Sequence, residues 1–298
     1  MRVLGRYSIP CRTPCPAAAV RLRLLAPTLP SSSAGVRLGL AGLLVQAAAA
    51  AHGAGSLLLL DEPPEQPTFS AGLTARGWPR APGSARREQV LLPGLDYAGP
   101  SGLFASTDDG LGWNLAPMLL DAPAAKAWRL GARLWPQPGR SRRESPPGVE
   151  RLGTRVVAQA FANVEAVPDL LLLQSGLSWG SGRHHDGGQL ELGATSGIPL
   201  GKDLIAISLA ATYANAAHLR GSFGVRAPEV QVSGLREFRP SSGWQDWSVA
   251  FNVEHKFDQD WSVSGQWLQA RLIGAAATSP LTHRRSQPQF SASVWRGF

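Results

Sequence analysis

The chain has 298 residues, with 29 Lys and Arg against 21 Asp and Glu, a formal net charge of +8, and 33 Gly plus 24 Pro. Turn formers at that density exclude a coiled coil or helical bundle and fit many short strands, while an apolar fraction of 44% with ten Trp excludes a disordered chain. The positive charge is not a nucleic-acid footprint, because residues 1–54 hold six Arg (Arg2, Arg6, Arg12, Arg21, Arg23, Arg37) and no acid, leaving 23 bases against 21 acids in the rest.

Both cysteines, Cys11 and Cys15, also fall at the front. Nothing after residue 15 can supply a disulfide, a thiolate metal site or a cysteine nucleophile. Residues 38–51, LGLAGLLVQAAAAA, follow Arg37 and precede small residues around His52-Gly53-Ala54-Gly55. A basic flank, a short apolar core and a small-residue cleavage region are the parts of a secretory signal peptide. The run is shorter than the roughly 18–20 apolar residues of a spanning helix. A chain begun at Val36 has a normal signal peptide, so residues 1–35 are expected to reflect an over-extended gene start; a long n-region or a disordered extension are the alternatives. The expected division is extension 1–35, signal peptide 36–54, a short periplasmic segment 55–68, and a barrel over 69–298.

From residue 69 onward apolar and polar side chains alternate, the mark of strands with two different faces. Strands are expected near 69–78, 89–97, 102–107, 110–115, 128–135, 154–165, 170–179, 189–197, 204–213, 246–257, 261–272 and 288–298. In 154–165, Arg155, Gln159, Asn163 and Glu165 oppose Val156, Ala158, Ala160, Ala162 and Val164. In 204–213, Ile205, Ile207, Leu209, Ala211 and Tyr213 oppose Ala206, Ser208, Ala210 and Thr212. In 246–257, Trp247, Val249, Phe251 and Val253 oppose Ser248, Ala250, Asn252 and Glu254; Asp258-Gln259-Asp260 then turns the chain into Trp261, Val263 and Trp267.

Several runs reach the length at which a tilted strand crosses a bilayer, about 9–11 residues. Strands of a soluble sandwich are shorter, near 5–6 residues. The polar face is rich in Ser, Thr, Gln and Asn, as a wet lumen requires. Trp78, Trp128, Trp179, Tyr213, Trp247 and Trp261 lie near strand ends, where interfacial girdles form. The expected fold is all-β: a transmembrane antiparallel β-barrel of about twelve strands after an N-terminal signal segment. Ten strands remain open, because 102–107 and 110–115 are short for spanning. Connections at 166–169, 198–203 and 258–260 are short, and those at 79–88, 136–153, 180–188 and 273–287 are longer. That alternation puts both termini in the periplasm. Residues 214–245 are expected to fold into or over the outer mouth, with Arg220, Arg226, Arg236 and Arg239 facing lumen acids or lipopolysaccharide phosphate. The alternative is a spanning hairpin, 219–226 with 229–235.

In the last strand Phe290, Ala292, Val294 and Phe298 share one face, similar to the assembly signal read by the barrel insertion machinery; Arg296 stands at the antepenultimate position. Gly176-Leu177-Ser178-Trp179-Gly180 matches the nucleophile-elbow pattern, but no helix is expected after it, so no catalytic residue is assigned. His184-His185-Asp186 is read as a solvated loop because adjacent side chains on an extended chain point opposite ways. Asp108-Asp109-Gly110 is read as a turn. Arg140, Arg142 and Arg143 could contact lipopolysaccharide phosphate or acidic partners, or simply be solvated. No metal or cofactor is expected.

Further strings occur in a fixed order: Gly83-Ser84 within Pro79–Ser84, Leu95-Asp96-Tyr97, Gly110–Leu115, Ser222-Phe223-Gly224-Val225, Ser233-Gly234-Leu235, Ser242-Gly243-Trp244-Gln245-Asp246, Arg271-Leu272-Ile273-Gly274 and Ser279-Pro280-Leu281. Over residues 69–298 this order resembles the MipA/OmpV family of outer-membrane proteins, the MltA-interacting proteins. The resemblance implies a non-enzymatic barrel in the outer membrane of a Gram-negative bacterium. It would sit among membrane lipid and lipopolysaccharide and act as a scaffold between a murein-cleaving lytic transglycosylase and a murein synthase. A narrow solute channel, or a surface barrel in adhesion or stress responses, is the alternative.

Overall fold

The computed structural model describes residues 60, 62–142 and 144–298. The expected signal segment and extension lie outside these residues, as does Arg143. Twelve strands form: β1 (Thr68–Pro79), β2 (Arg87–Ala98), β3 (Leu103–Ser106), β4 (Gly110–Asn114), β5 (Trp128–Gln137), β6 (Arg155–Val167), β7 (Leu171–Ser181), β8 (Gly187–Leu200), β9 (Asp203–Ala214), β10 (Gly243–Lys256), β11 (Trp261–Leu272) and β12 (Ser286–Gly297). Each pairs antiparallel with its chain neighbours, and β1 pairs with β12 from Ser70 opposite Gly297 to Gly77 opposite Phe290. The sheet therefore closes on itself as a twelve-stranded barrel. Residues 102–107 and 110–115 do form a hairpin, so ten strands is the wrong count. Residues 214–245 supply no spanning hairpin; they contain two helices and one isolated bridge between Val225 and Phe238.

The period-two pattern sets the faces. Leu73, Val156, Leu177, Leu209, Phe251, Trp267 and Val294 are exposed on the outside. Thr74, Gln159, Asn163, Ser178, Thr195, Thr212, Ser248 and Ser293 are buried within. An apolar exterior over a hydrogen-bonded polar interior is the inverse of a soluble globule and suits a barrel whose solvent is lipid. Trp128, Trp179, Tyr213, Trp247 and Trp261 are exposed near strand ends. Trp78 departs from the expected girdle: it shares the inner face of β1 with Thr74 and Arg76 and lines a lumen cavity. A bulge between Trp244 and Asp246 turns both Gln245 and Asp246 inward. Among the described residues no helix is long and apolar enough to cross a membrane.

The end of the barrel at which β1 begins and β12 ends is called proximal here. Its connections are short turns except for residues 115–127, which carry α1 (Ala116–Leu119) and α2 (Ala122–Ala127). Apart from the tight turn 107–109 of the short β3–β4 hairpin, the connections on the opposite, distal side are longer and carry α3 (Ala216–Phe223), α4 (Ala227–Ser233) and α5 (Gly274–Thr278). Asn215 caps α3 by accepting from His218 N at 2.9 Å. Gly234, at φ 69°, ends α4 in the left-handed conformation that favours glycine.

Candidate functional site

The distal connections fold together into a cap. One apolar cluster joins Ala214, Leu219 and Phe223 to Leu272 and Ala276; a second joins Val149, Val225 and Leu281 to Val230, Leu235 and Phe238. Polar ties cross between loops distant in sequence. Buried Arg140 donates from Nη1 to Ser222 O (3.0 Å) and from Nε to Ser145 Oγ (3.1 Å). Ser279 Oγ donates to Phe223 O at 2.6 Å. Glu229 accepts from Glu150 N (2.9 Å) and from Arg226 Nη2 (2.9 Å). Burial alone would raise the Glu229 carboxyl, but the bonds from Arg226 and Glu150 outweigh it and hold the group below its ordinary value.

Under the cap, Arg155 at the top of β6 donates from Nε to Gln137 Oε1 (2.7 Å), from Nη1 to Gly187 O (3.1 Å) and from Nη2 to His218 Nδ1 (3.0 Å). His185 Nδ1 donates to Gly153 O at 3.0 Å. Burial, then the nearby Arg155 charge, pushes His218 down to about 3 and His185 down to about 4. Both imidazoles are neutral at physiological pH, which leaves His218 Nδ1 free to accept from Arg155.

The cap also explains why short strings far apart in sequence belong together. Gly83, at φ 83°, accepts from His283 N and Arg284 N through its carbonyl and donates to Gln287 Oε1. A Cβ there would meet Thr282. Ser84 Oγ accepts from Arg86 N, closing the same turn. Phe223, Gly224 and Val225 carry α3 into the second apolar cluster, and Ser233 Oγ donates to Glu229 O while accepting from Leu235 N. Gly243 and Asp246 open β10, Arg271 and Leu272 close β11, and Ser279-Pro280 lies in the cap loop after α5. These residues meet at one end of the molecule. Phe290, Val294 and Phe298 lie apart from them on the outside surface.

The arginines of 214–245 do not face lumen acids. Arg226 pairs with Glu150 and Glu229, Arg239 pairs with Glu237, and Arg220 and Arg236 donate to the carbonyls of Pro240 and Thr278. The cap satisfies them internally. The lumen uses other residues, unmarked by any motif: Arg133 donates to Gln159 Oε1 (2.7 Å) and pairs with Asp109 (3.2 Å), and Gln159 Nε2 donates to Glu191 Oε2 (2.8 Å). Arg76 pairs with Asp108 at 3.1 Å. Between this network and the cap lies a cavity of ≈ 110 Å³, lined by Trp78, Trp135, Gln189, Gln245 and Gln287 among others. At the ~10–15 Å³ that one water requires, it holds several waters.

Aromatic rings narrow the lumen toward the proximal end. Phe104 and Phe161 stand 6.3 Å apart over Gly112 and Gly131, and Leu60 packs against them. Trp295 lies over Gly72 and Gly94. A Cβ at these inner-wall positions would meet the ring above it, so glycine lets the rings lie flat against the wall.

Ser178 Oγ makes a long 3.4 Å contact to Gln189 O, and β7 runs into a loop rather than a helix. His184 pairs with Glu150 while His185 turns to Gly153. Among the described residues no three His, Cys, Asp or Glu side chains converge as metal ligands.

A closed antiparallel sheet, apolar outside, polar within, capped at one end and narrowed by aromatic rings toward the other, defines an outer-membrane-type β-barrel. Residues 71–298 match the family described as MltA-interacting protein MipA. The chain belongs to that family. Among solved structures it is similar to a NanC porin, at 13% identity and a TM-score of 0.43 over 74% of this chain and 98% of that one. It is also similar to an outer-membrane channel from Pseudomonas putida F1, at 12% identity and 0.40 over 82% and 100%. The outer-membrane protease OmpT from Escherichia coli aligns at 10% identity and 0.31 over 82% and 100%. No curated protein sequence matches the chain.

Proposed function

We propose that this protein is a non-enzymatic barrel of the Gram-negative outer membrane, with its proximal end in the periplasm, that acts as a scaffold for murein-processing enzymes. A lytic transglycosylase is the first partner and a murein synthase the second. The observation that carries this reading is the obstruction of the lumen at both ends. A barrel covered by a cap and narrowed by tilted aromatic rings works through its surfaces rather than by conduction. The family description, which names an interaction with MltA, supports the choice of partner. Export through a signal peptide within 36–54 fits the same reading, as does a lipid-facing wall in contact with membrane lipid and lipopolysaccharide.

The proximal end offers one extended surface, residues 115–127. Met118 and Leu119 are 64% and 66% exposed there. Two exposed apolar side chains side by side at the end of one short helix, one of them a methionine, a residue enriched in interfaces, give a partner an apolar contact. Affinity capture of a lytic transglycosylase by the detergent-solubilised barrel tests this. Capture is expected with the native chain and is expected to fall about tenfold in Met118→Ser/Leu119→Ser, a loss of ~1.4 kcal/mol. Absence of capture by the native chain, with steady conductance in planar bilayers, would overturn the scaffold in favour of a channel.

A further inference from the structure

The barrel wall is not of even height. β3 pairs with β2 only from Asp96 to Ala98, and β4 pairs with β5 only from Leu111 opposite Leu134 to Asn114 opposite Gly131. The last tie on the first side is at Leu95, whose O accepts from Thr107 N (2.9 Å) and whose N donates to Thr107 Oγ1 (3.2 Å). Backbone groups alternate in direction along a strand, so Arg87, Gln89, Leu91 and Pro93 turn theirs to the same side as Leu95. Those positions have no ladder partner there among the described strands. On the other side Leu115 N donates to Leu130 O. Leu130, Ala132, Leu134 and Pro136 therefore turn toward β4, and Pro136 stands above the last pair. Distal to the short hairpin, β2 and β5 are separated by three strand spacings of ~4.8 Å, roughly 14 Å between axes.

Two features mark this opening as built rather than frayed. Pro93 and Pro136 stand on its two rims, each where a backbone N–H would point into the gap. Proline has no such donor and is confined in sheets to edges that lack a partner. The outer rim is apolar, with Leu91, Leu111 and Leu134 more than half exposed. An unpaired sheet edge at membrane depth is tolerated where it lines a polar cavity. Behind this edge lies the lumen, with Arg133 and Trp135 on the inner face of β5 lining the capped cavity.

We propose that the opening between β2 and β5 is a lateral portal that admits a bilayer amphiphile with a neutral, hydroxyl- or amide-bearing head into the capped lumen. The cap and the proximal rings obstruct the axial routes, which favours entry through the wall. The acyl chain would lie along Leu91, Leu111 and Leu134 in the leaflet. The head would meet Gln189, Gln245 and Gln287, side chains that both donate and accept, and would exchange hydrogen bonds that they make with one another and with Asp246, Gly83 and Arg284. The two arginines beside the hairpin that bounds the opening are matched, Arg133 with Asp109 and Arg76 with Asp108. That pairing favours a head without charge.

The test uses the full chain in phosphatidylcholine vesicles containing monooleoylglycerol as the probe, with a benzophenone amino acid placed at Leu92, Leu91 or Ala210. Leu92 faces the lumen on β2, opposite inward Thr74. Leu91 faces lipid, and Ala210 faces the lumen on the opposite wall between Ser208 and Thr212. Photolysis and mass mapping are expected to show monooleoylglycerol adducts at Leu92 approaching those at Leu91 and about tenfold above those at Ala210. Leu92 yields no higher than Ala210 would overturn the portal. So would chain-to-chain cross-links at Leu91 and Leu92, which would show a second copy covering the edge. Lengthening β3 and β4 by inserted Thr-Val pairs on both sides of Asp108-Asp109 should fill the gap. In the folded variant the Leu92 yield should fall to the Ala210 level, and an unchanged yield would overturn the proposal.

Discussion

His218 accepts a hydrogen bond from Arg155 and His185 donates one to Gly153, so both do their work in the neutral form. Their folded-state values of about 3 and about 4 lie below the ordinary histidine value of 6.5. An unfolded cap takes up protons below pH 6.5 that the folded cap refuses. The stability these groups contribute is therefore complete above pH 6.5 and declines as pH falls toward 4. Amide protection factors over residues 138–154 and 215–242, taken relative to the intrinsic exchange rate at each pH, should be lower at pH 4.5 than at pH 7.5. His218→Gln keeps an acceptor without a titrating group and should reduce the difference. Glycine matters at the same scale. A Cβ at Gly131 would meet both the Trp113 carbonyl and the Phe161 ring. Gly131→Val should destabilise the wall by about 1–3 kcal/mol, as overpacking does. A smaller heat-modifiable fraction on gels is the measurement.

β10 displays the logic of the strands. Phe251 is exposed to lipid and Asn252 faces the lumen, where its Oδ1 accepts from Gln266 Nε2 at 2.7 Å. Phe251→Arg should impair assembly, since a charge at mid-depth on the lipid face costs roughly 2–4 kcal/mol. Asn252→Arg should assemble nearly as well as the native chain. Similar vesicle-insertion yields for the two would contradict this assignment of faces. Strands such as β6 and β10 were legible in the sequence because each buries one face and presents the other to a different solvent, which leaves a period of two. The hairpin of β3 and β4 was legible as short, but its effect on the wall was not: the gap depends on where β2 and β5 stand, and pairing is a long-range property. The same reason hid the cap. Ser222 and Ser279 belong to readable strings, yet nothing local indicates that Arg140, some eighty positions away, ties onto Ser222. Trp78 was misread for a related reason, since a tryptophan at a strand end suits a girdle and only the register of β1 turns it inward.

For the molecule as a whole, two independent obstructions lie in series. Residues 215–242 contribute no strand, so replacing 228–240 with a short Gly-Ser linker should leave a folded, heat-modifiable barrel. Conductance in planar bilayers should stay low in that variant because Phe104, Phe161 and Trp295 still narrow the proximal end. Adding Phe104→Ala and Phe161→Ala should raise it. A steady current in the loop variant alone would show that ions pass the rings.

The seam between β1 and β12 also governs the order of events in time. Every other neighbouring pair is joined by a local connection, whereas Ser70 meets Gly297 only after nearly the whole barrel lies between them. Bringing such distant ends together costs roughly 5 kcal/mol of chain entropy by the logarithmic rule, several times the cost for a tight hairpin. Hairpins should therefore appear early and the seam last, so that the chain passes through a curled sheet with two raw edges. That transient is the species most prone to pair with its own kind. The rate of seam closure, more than the depth of the final energy well, then sets how many chains reach the native barrel instead of an aggregate.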